Sequence, residues 1–119
     1  MSLSVYINYS NIPESDNDEE YWSANITHNL CKMARQIPVG STSLYMVVWR
    51  PEEIFKSTTT NVMLIFLVKG INYMISHRKE LLPFEPDNGW GTYDVFLKFL
   101  LDYKNACEDN PDCLIEVCR

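Results

Sequence analysis

Residues 61–78 read NVMLIFLVKGINYMISHR, and this stretch decides how the rest of the chain can fold. Its apolar side chains recur at the spacing of one helix face: Leu64, Leu67, Val68, Ile71, Met74 and Ile75. The threonines and asparagine at 58–61 supply caps, and Arg78 suits the negative C-terminal end of a helix. A buried strand over 62–68 is the alternative, because so short an apolar run fits the period of a strand as well as that of a helix. The length of the stripe favours a central, most buried helix.

Downstream of this helix, the pattern predicts a connector, a second long helix and a closing strand. Prolines and glycines mark residues 82–91 as irregular, and Thr92 and Asp94 suit a helix start. A second helical stripe then follows: Tyr93, Phe96, Leu97, Leu100, Tyr103 and Cys107. After a turn at 108–112, residues 114–118 predict a strand that pairs with the N-terminal one.

Upstream of the central helix, residues 3–9 alternate between apolar and polar and predict a half-buried strand. A helix is expected to start near Thr27 and to end at Pro38. Residues 43–49 are rich in β-branched and aromatic types and predict a second strand, which Pro51 ends. Residues 51–54 then favour a short helical turn.

These elements predict a single α+β domain over residues 1–119, with an acidic mobile loop near 13–20. The expected order is strand, helix, strand, helix, helix, strand. It favours a small mixed or mainly antiparallel sheet with about three helices packed on one face. A chain of 119 residues is the usual size of one domain.

Composition and charge set several protein classes aside. A formal charge of −6 repels phosphate backbones and anionic membranes, so no nucleic-acid or membrane partner is expected. No apolar run is long enough to cross a bilayer, and no secretory leader is recognisable, so a cytoplasmic location is expected. The four cysteines, at 31, 107, 113 and 118, are expected to be thiols, because their spacing lacks the paired knuckles of zinc sites.

Motifs that carry catalysis or cofactors are missing from the sequence. It contains no dinucleotide-binding glycine motif, P-loop, nucleophile elbow or zinc-protease motif, so no catalytic residue, metal or cofactor is assigned. His28 and His77 are the only histidines. His28 lies three residues before Cys31, a spacing that could imitate a thiol–imidazole pair, although a packed or inert cysteine is the simpler interpretation.

Two loops combine aromatic, charged and turn-forming residues and form the candidate binding surface. The candidate residues are Trp49, Arg50, Glu52 and Glu53 in the first loop, Asp87, Asn88, Trp90 and Tyr93 in the second, and His28. Aromatic and arginine side chains dominate binding hot spots. The alternative interpretation is structural, with the tryptophans plugging the ends of the core and the glycines serving turn geometry.

Five short motifs carry a resemblance to a known group of proteins: NITHNL at 25–30, WRPEE at 49–53, NGWGTY at 88–93, NPD at 110–112 and IEV at 115–117. Over residues 21–119 the chain resembles a family of small uncharacterised bacterial and phage proteins. The resemblance implies a compact intracellular domain and carries no catalytic role. The chain departs from the family pattern between 37 and 61, which leaves the strand at 43–49 open.

The sequence therefore favours a non-enzymatic interaction or regulatory module that binds a protein partner through loops 49–53 and 87–93. A small-ligand binder or enzyme using the same loops with His28 is the alternative, and it predicts a concave pocket holding at least one polar candidate residue. Self-association through exposed aromatics is a third hypothesis.

Overall fold

Two antiparallel sheets and five α-helices make up the computed structural model, which describes residues 2–8, 20–87, 89 and 91–119. The strands are β1 (Ser2–Asn8), β2 (Glu20–Thr27), β3 (Pro38–Val39), β4 (Thr42–Ser43) and β5 (Leu114–Cys118). The helices are α1 (Cys31–Ala34), α2 (Leu44–Trp49), α3 (Thr60–Ser76), α4 (Arg78–Leu81) and α5 (Tyr93–Asp109). Short 3₁₀ turns cover His28–Leu30, Pro51–Glu53 and Leu82–Phe84. The predicted α+β class is confirmed.

The larger sheet has the strand order β2-β1-β5, with both neighbours antiparallel to β1. On β1, Leu3, Val5 and Ile7 are fully buried, because alternate side chains of a strand share one face. Ile7 lies opposite Trp22 of β2 and Ile115 of β5. The predicted pairing of the first and last strands is confirmed, and it holds both ends of the described chain in one sheet.

Helices α3 and α5, each of 17 residues, lie side by side and antiparallel, with their ends level. At one end the Tyr93 hydroxyl donates to the Met74 carbonyl at 2.6 Å, and at the other the Thr60 hydroxyl donates to the Asn110 carbonyl at 2.6 Å. Thr59 and Thr92 cap the two helices. Both long helices were predicted to within about two residues, because an apolar stripe of this length fits the period of a helix and not that of a strand.

The segment predicted as a strand at 43–49 is instead helix α2. The Ser43 hydroxyl accepts from the Met46 amide at 3.4 Å, which caps the helix start. Leu44, Val47 and Val48 are fully buried at helical spacing, with Leu44 packed so close to Gly70 that a Cβ there would lie 2.7 Å from Leu44 Cδ1. The prediction was wrong because packing against α3 overrides the strand propensity of a six-residue segment.

A second strand, β2, occupies residues that were not predicted to be one. Ile26 is buried in β2, next to the position where a helix was expected to start. Thr27 does cap the turn that follows, accepting from the Asn29 amide at 3.2 Å. The predicted acidic loop falls on residues 13–19, which lie outside the described residues, and on Glu20, which begins β2. The expected element order was therefore wrong before α3 and correct after it.

The number of helices also differs from the expected three. The two additional helices are α2, where a strand was predicted, and the four-residue α4. The helix predicted from Thr27 to Pro38 is shorter than expected and consists of the 3₁₀ turn His28–Leu30 followed by α1. In the part of the chain that is described, no helix is both long enough and apolar enough to span a bilayer.

Candidate functional site

Trp49 and His28, two of the predicted site residues, are in direct contact. Trp49 is only 1% exposed, and its ring packs on Tyr45 and Phe96 at centroid distances of 5.8 and 5.9 Å. The indole Nε1–H donates to His28 Nδ1 at 3.0 Å. Trp49 therefore belongs to the core, as the structural interpretation held, and it offers no aromatic surface to a partner.

The geometry around His28 also bears on the thiol–imidazole hypothesis. Because Nδ1 accepts the indole proton, the neutral ring carries its hydrogen on Nε2. Burial raises the pKa of the Cys31 thiol, and the nearby guanidinium groups of Arg35 and Arg50 oppose that shift only in part. A raised pKa disfavours the thiolate, which is the nucleophilic form. The direction of this shift disfavours the thiol–imidazole interpretation of His28 and Cys31.

The second predicted loop contributes less surface than expected. Tyr93 is buried, and its backbone amide donates to Glu85 Oε2 at 2.7 Å. Gly91 has a φ of 97° and approaches β2 so closely that a Cβ would lie 2.7 Å from Thr27 Cγ2. Asp87 is exposed, while Asn88 and Trp90 lie outside the described residues.

The turn after α2 holds the exposed charges of the first loop. Arg50 binds Glu53 at 2.6 Å, and its Nε donates to the Tyr45 hydroxyl at 3.1 Å. Arg119 binds the Glu52 carboxylate and donates to the Trp49 carbonyl at 2.7 Å. Arg119 was not predicted as a site residue, since only the β1–β5 pairing brings the end of β5 to this turn.

A groove of about 370 Å³ lies beside β5, and Glu52 is one of its walls. Its lining residues are Pro51, Glu52, Thr58, Ile115, Glu116 and Val117. The Ile115 amide donates to the Thr58 carbonyl at 2.9 Å, so this edge of β5 faces the 51–58 segment. Residues two apart in a strand point their peptide groups to the same side, and the Val117 amide and carbonyl therefore also face that edge.

The groove combines apolar walls with two carboxylates. Pro51, Ile115 and Val117 supply the apolar surface, and Glu52 and Glu116 supply the acids. Glu52 already binds one guanidinium, that of Arg119, whereas Glu116 is exposed and has no ion pair within the described ranges. Sequence reasoning missed the β5 residues. The signal available was a glutamate inside an apolar strand, and only the sheet pairing brings that strand to the groove that Glu52 also lines.

No metal site emerges from the side chains that the structure describes. Among them, no group of three or more histidine, cysteine, aspartate or glutamate side chains could hold an ion.

Comparison of the chain with protein-family models, with curated proteins and with solved structures gives no match. The resemblance to small bacterial and phage proteins therefore stays a prediction, and the function is argued from the groove itself.

Proposed function

We propose that the protein is a non-enzymatic interaction module whose groove beside β5 binds a lysine or arginine side chain of a partner protein. The observation that carries this proposal is the composition of the groove, where Glu52 and Glu116 carry carboxylates and the other lining residues are mainly apolar. Lysine and arginine have the matching structure, with an apolar stem and a cationic head.

The contact between Arg119 and Glu52 supports the choice of a cationic group. It provides an example, within the molecule, of a guanidinium bound to one of the groove carboxylates. Arginine is the better candidate of the two cations, because its planar fork can bind a carboxylate with two hydrogen bonds. The pair is solvent-exposed on both sides, with 37% and 47% of the side chains accessible, so it costs little to displace.

The overall charge supports the same class of partner. A chain with a formal charge of −6 attracts basic surfaces at long range and speeds their encounter. The Glu116 carboxylate is exposed and gives such a partner an acceptor that no described residue occupies.

The proposal narrows the surface that the sequence predicted. Of the first predicted loop it keeps Glu52, which lines the groove, and it leaves out Trp49, which is packed in the core. It does not use the second loop, because Tyr93 is also buried. The energy of binding is therefore assigned to charge and shape at β5 rather than to aromatic anchors.

The experiment compares short peptides of the sequence AAARAAA, AAAKAAA and AAA-citrulline-AAA in an NMR titration. Citrulline keeps the shape of arginine and lacks its charge. The arginine peptide is expected to bind most tightly, and Glu52→Gln and Glu116→Gln each weaken it about three- to tenfold through loss of a charge-assisted hydrogen bond. Glu53→Gln is the matched control, since it removes the same charge from a residue that does not line the groove.

Two outcomes would count against the proposal. Equal binding of the citrulline peptide would show that the positive charge of the arginine side chain does not contribute to binding. Equal weakening by Glu53→Gln would show that only net charge matters. Methylguanidine is the probe for the small-ligand alternative, and binding as tight as that of the arginine peptide would favour a small cation over a protein partner.

A further inference from the structure

Strand β5 lies at an edge of the larger sheet, and its outer edge is covered along only half of its length. The inner edge pairs with β1. Along the outer edge, Thr59 has an extended backbone and forms an isolated antiparallel bridge with Leu114, and the Ile115 amide donates to the Thr58 carbonyl at 2.9 Å. The first half of β5 therefore already binds an extended segment of this chain.

This covering segment ends at Thr58, because the chain before it turns away from the strand. The amides of Ile54 and Phe55 donate back to the Pro51 carbonyl at 3.1 and 2.9 Å, so residues 51–55 close into a turn instead of continuing along β5. The groove is lined by this turn on one side and by the second half of β5, as far as Val117, on the other. It is thus the continuation of an edge on which an extended backbone already lies.

Val117 presents a main-chain donor and a main-chain acceptor to the groove. Hydrogen-bonded and non-hydrogen-bonded pairs alternate along an antiparallel ladder. Since the Ile115 amide bonds to Thr58 instead of β1, Glu116 is the residue that bonds to its β1 partner, Tyr6, and Val117 points its N–H and C=O outward. Among the described residues, no other group bonds to that N–H or C=O. A strand edge with such groups is a template for pairing with another chain.

The charge at this edge favours a basic segment over a second copy of the chain. Glu116 is exposed on the strand, and Glu52 lines the same groove. Two copies paired at this edge would bring the carboxylates of both into one place, in chains that each carry a formal charge of −6. Like charges on neighbouring strands destabilise their pairing, whereas opposite charges stabilise it.

We propose that the partner segment binds in the groove as an added strand of the sheet, with its main chain bonded to the N–H and C=O of Val117. The basic side chain of that segment pairs with a groove carboxylate, and in this respect the inference rests on the proposed function. It adds the conformation of the partner, which is extended. In this mode of recognition main-chain bonds supply affinity and side chains supply specificity.

N-methyl derivatives of the arginine peptide AAARAAA test the conformation of the bound segment. Each derivative replaces one amide hydrogen by a methyl group, and the set moves this group along the peptide. Successive N–H groups of a strand point to opposite sides. Methylation is therefore expected to weaken binding about tenfold where the N–H faces Val117, and to change it less than about twofold at the two neighbouring residues. Equal affinity for all derivatives, or equal loss in all, would overturn the added strand.

Hydrogen exchange of the Val117 amide tests the same bond from the side of the protein. In the free chain this amide is expected to exchange faster than the amide of Glu116, which pairs with β1. Saturation with AAARAAA should slow the exchange of Val117 about tenfold through the new hydrogen bond. The amide of Asn105 on α5, away from the groove, is the control and should keep its rate.

The outcomes separate this inference from the proposed function. If the arginine peptide binds with the expected dependence on Glu52 and Glu116 while the exchange of Val117 is unchanged, the added strand is overturned and the proposed function stands. If the peptide does not bind at all, both are overturned. A Val117 amide that is protected in the free chain at millimolar concentration, and loses that protection on dilution, would assign the edge to a second copy and overturn the inference.

Discussion

Trp49 and Glu52 are three residues apart in the sequence, yet the fold turns them in opposite directions. Trp49 closes the core and bonds to His28, while Glu52 faces the groove and binds Arg119. The sequence made the aromatic residue look like the natural anchor for a partner, but it is buried, whereas the Glu52 carboxylate is exposed. The comparison teaches that interior-facing groups of this segment determine stability, whereas its outward charges are available for binding.

Truncation of Trp49 should produce the largest loss of stability. Trp49→Ala is expected to lower the free energy of unfolding by about 3–5 kcal/mol, because it leaves a cavity between Tyr45 and Phe96. Urea denaturation followed by circular dichroism measures the change. Ile75→Ala, at an exposed position, is the control and should cost far less. If Trp49→Ala lowered the free energy of unfolding by less than about 1 kcal/mol, the contrast between a stabilising Trp49 and an exposed Glu52 would be wrong.

Interior thiols should make the protein sensitive to alkaline pH. Burial, with smaller effects from Cys113 and Glu108, raises the pKa of Cys107 from 9.0 to about 12. The folded chain therefore keeps this proton while the unfolded chain loses it, so stability is complete below about pH 9 and falls between pH 9 and 12, by up to about 4 kcal/mol.

Thermal unfolding across this pH range measures the effect of Cys107. Cys107→Ala should reduce the slope, and Tyr103, whose pKa burial also raises, should account for part of what remains. An unaltered slope in Cys107→Ala would contradict the assignment.

Two buried tyrosines on α5 differ in their hydrogen bonding, and substituting them should change the free energy of unfolding less than the substitutions above. The Tyr93 hydroxyl donates to the Met74 carbonyl at 2.6 Å, whereas the buried Tyr103 hydroxyl has no hydrogen-bond partner in the described part of the molecule. Tyr93→Phe is expected to lower the free energy of unfolding by about 1 kcal/mol, and Tyr103→Phe to raise it by a similar amount. Opposite signs in denaturant melts are required, since a loss in both variants would mean that Tyr103 has a partner.

The smallest stability effect is expected at the groove. Glu52→Gln breaks an exposed ion pair with Arg119 and should change the free energy of unfolding by less than about 1 kcal/mol. Arg119→Gln should be similarly mild and should tighten the arginine peptide about two- to fivefold, because it frees the Glu52 carboxylate. Differential scanning calorimetry and peptide titration measure the two effects. Weaker binding of the peptide to Arg119→Gln would contradict the idea that Arg119 and the peptide arginine compete for the Glu52 carboxylate.

The two long helices were predictable because the apolar spacing of a helix repeats several times in each. The first and last strands of the chain, β1 and β5, were predictable from their short apolar patterns. Seventeen residues of α3 or α5 contain several helical turns, and the threonines at 59 and 92 mark their starts. Helix α2 was not predictable, because six residues rich in β-branched types fit both periods until they pack on Gly70. Strand β2 was missed because its last residue, Thr27, also caps the helical turn that follows, so the segment was interpreted as a helix start.

The candidate site was predictable only in part, for a different physical reason. The charged turn after α2 follows from its composition, and Glu52 was named from it. Large aromatic side chains gain most from burial, which is why Trp49 and Tyr93 lie inside. The contribution of Glu116 and Arg119 depends on β5 pairing with β1 across more than a hundred residues, a long-range contact that local pattern does not specify.

The most direct test of the central claim is an NMR titration of the wild-type chain with the arginine peptide, in which each backbone amide reports its own environment. The largest shifts are predicted at Thr58, Glu116 and Val117, with no comparable change at Val95 or Asn105 on α5. That result would place a cationic side chain in the groove beside β5. Shifts centred on another face, or none at millimolar peptide, would contradict the account.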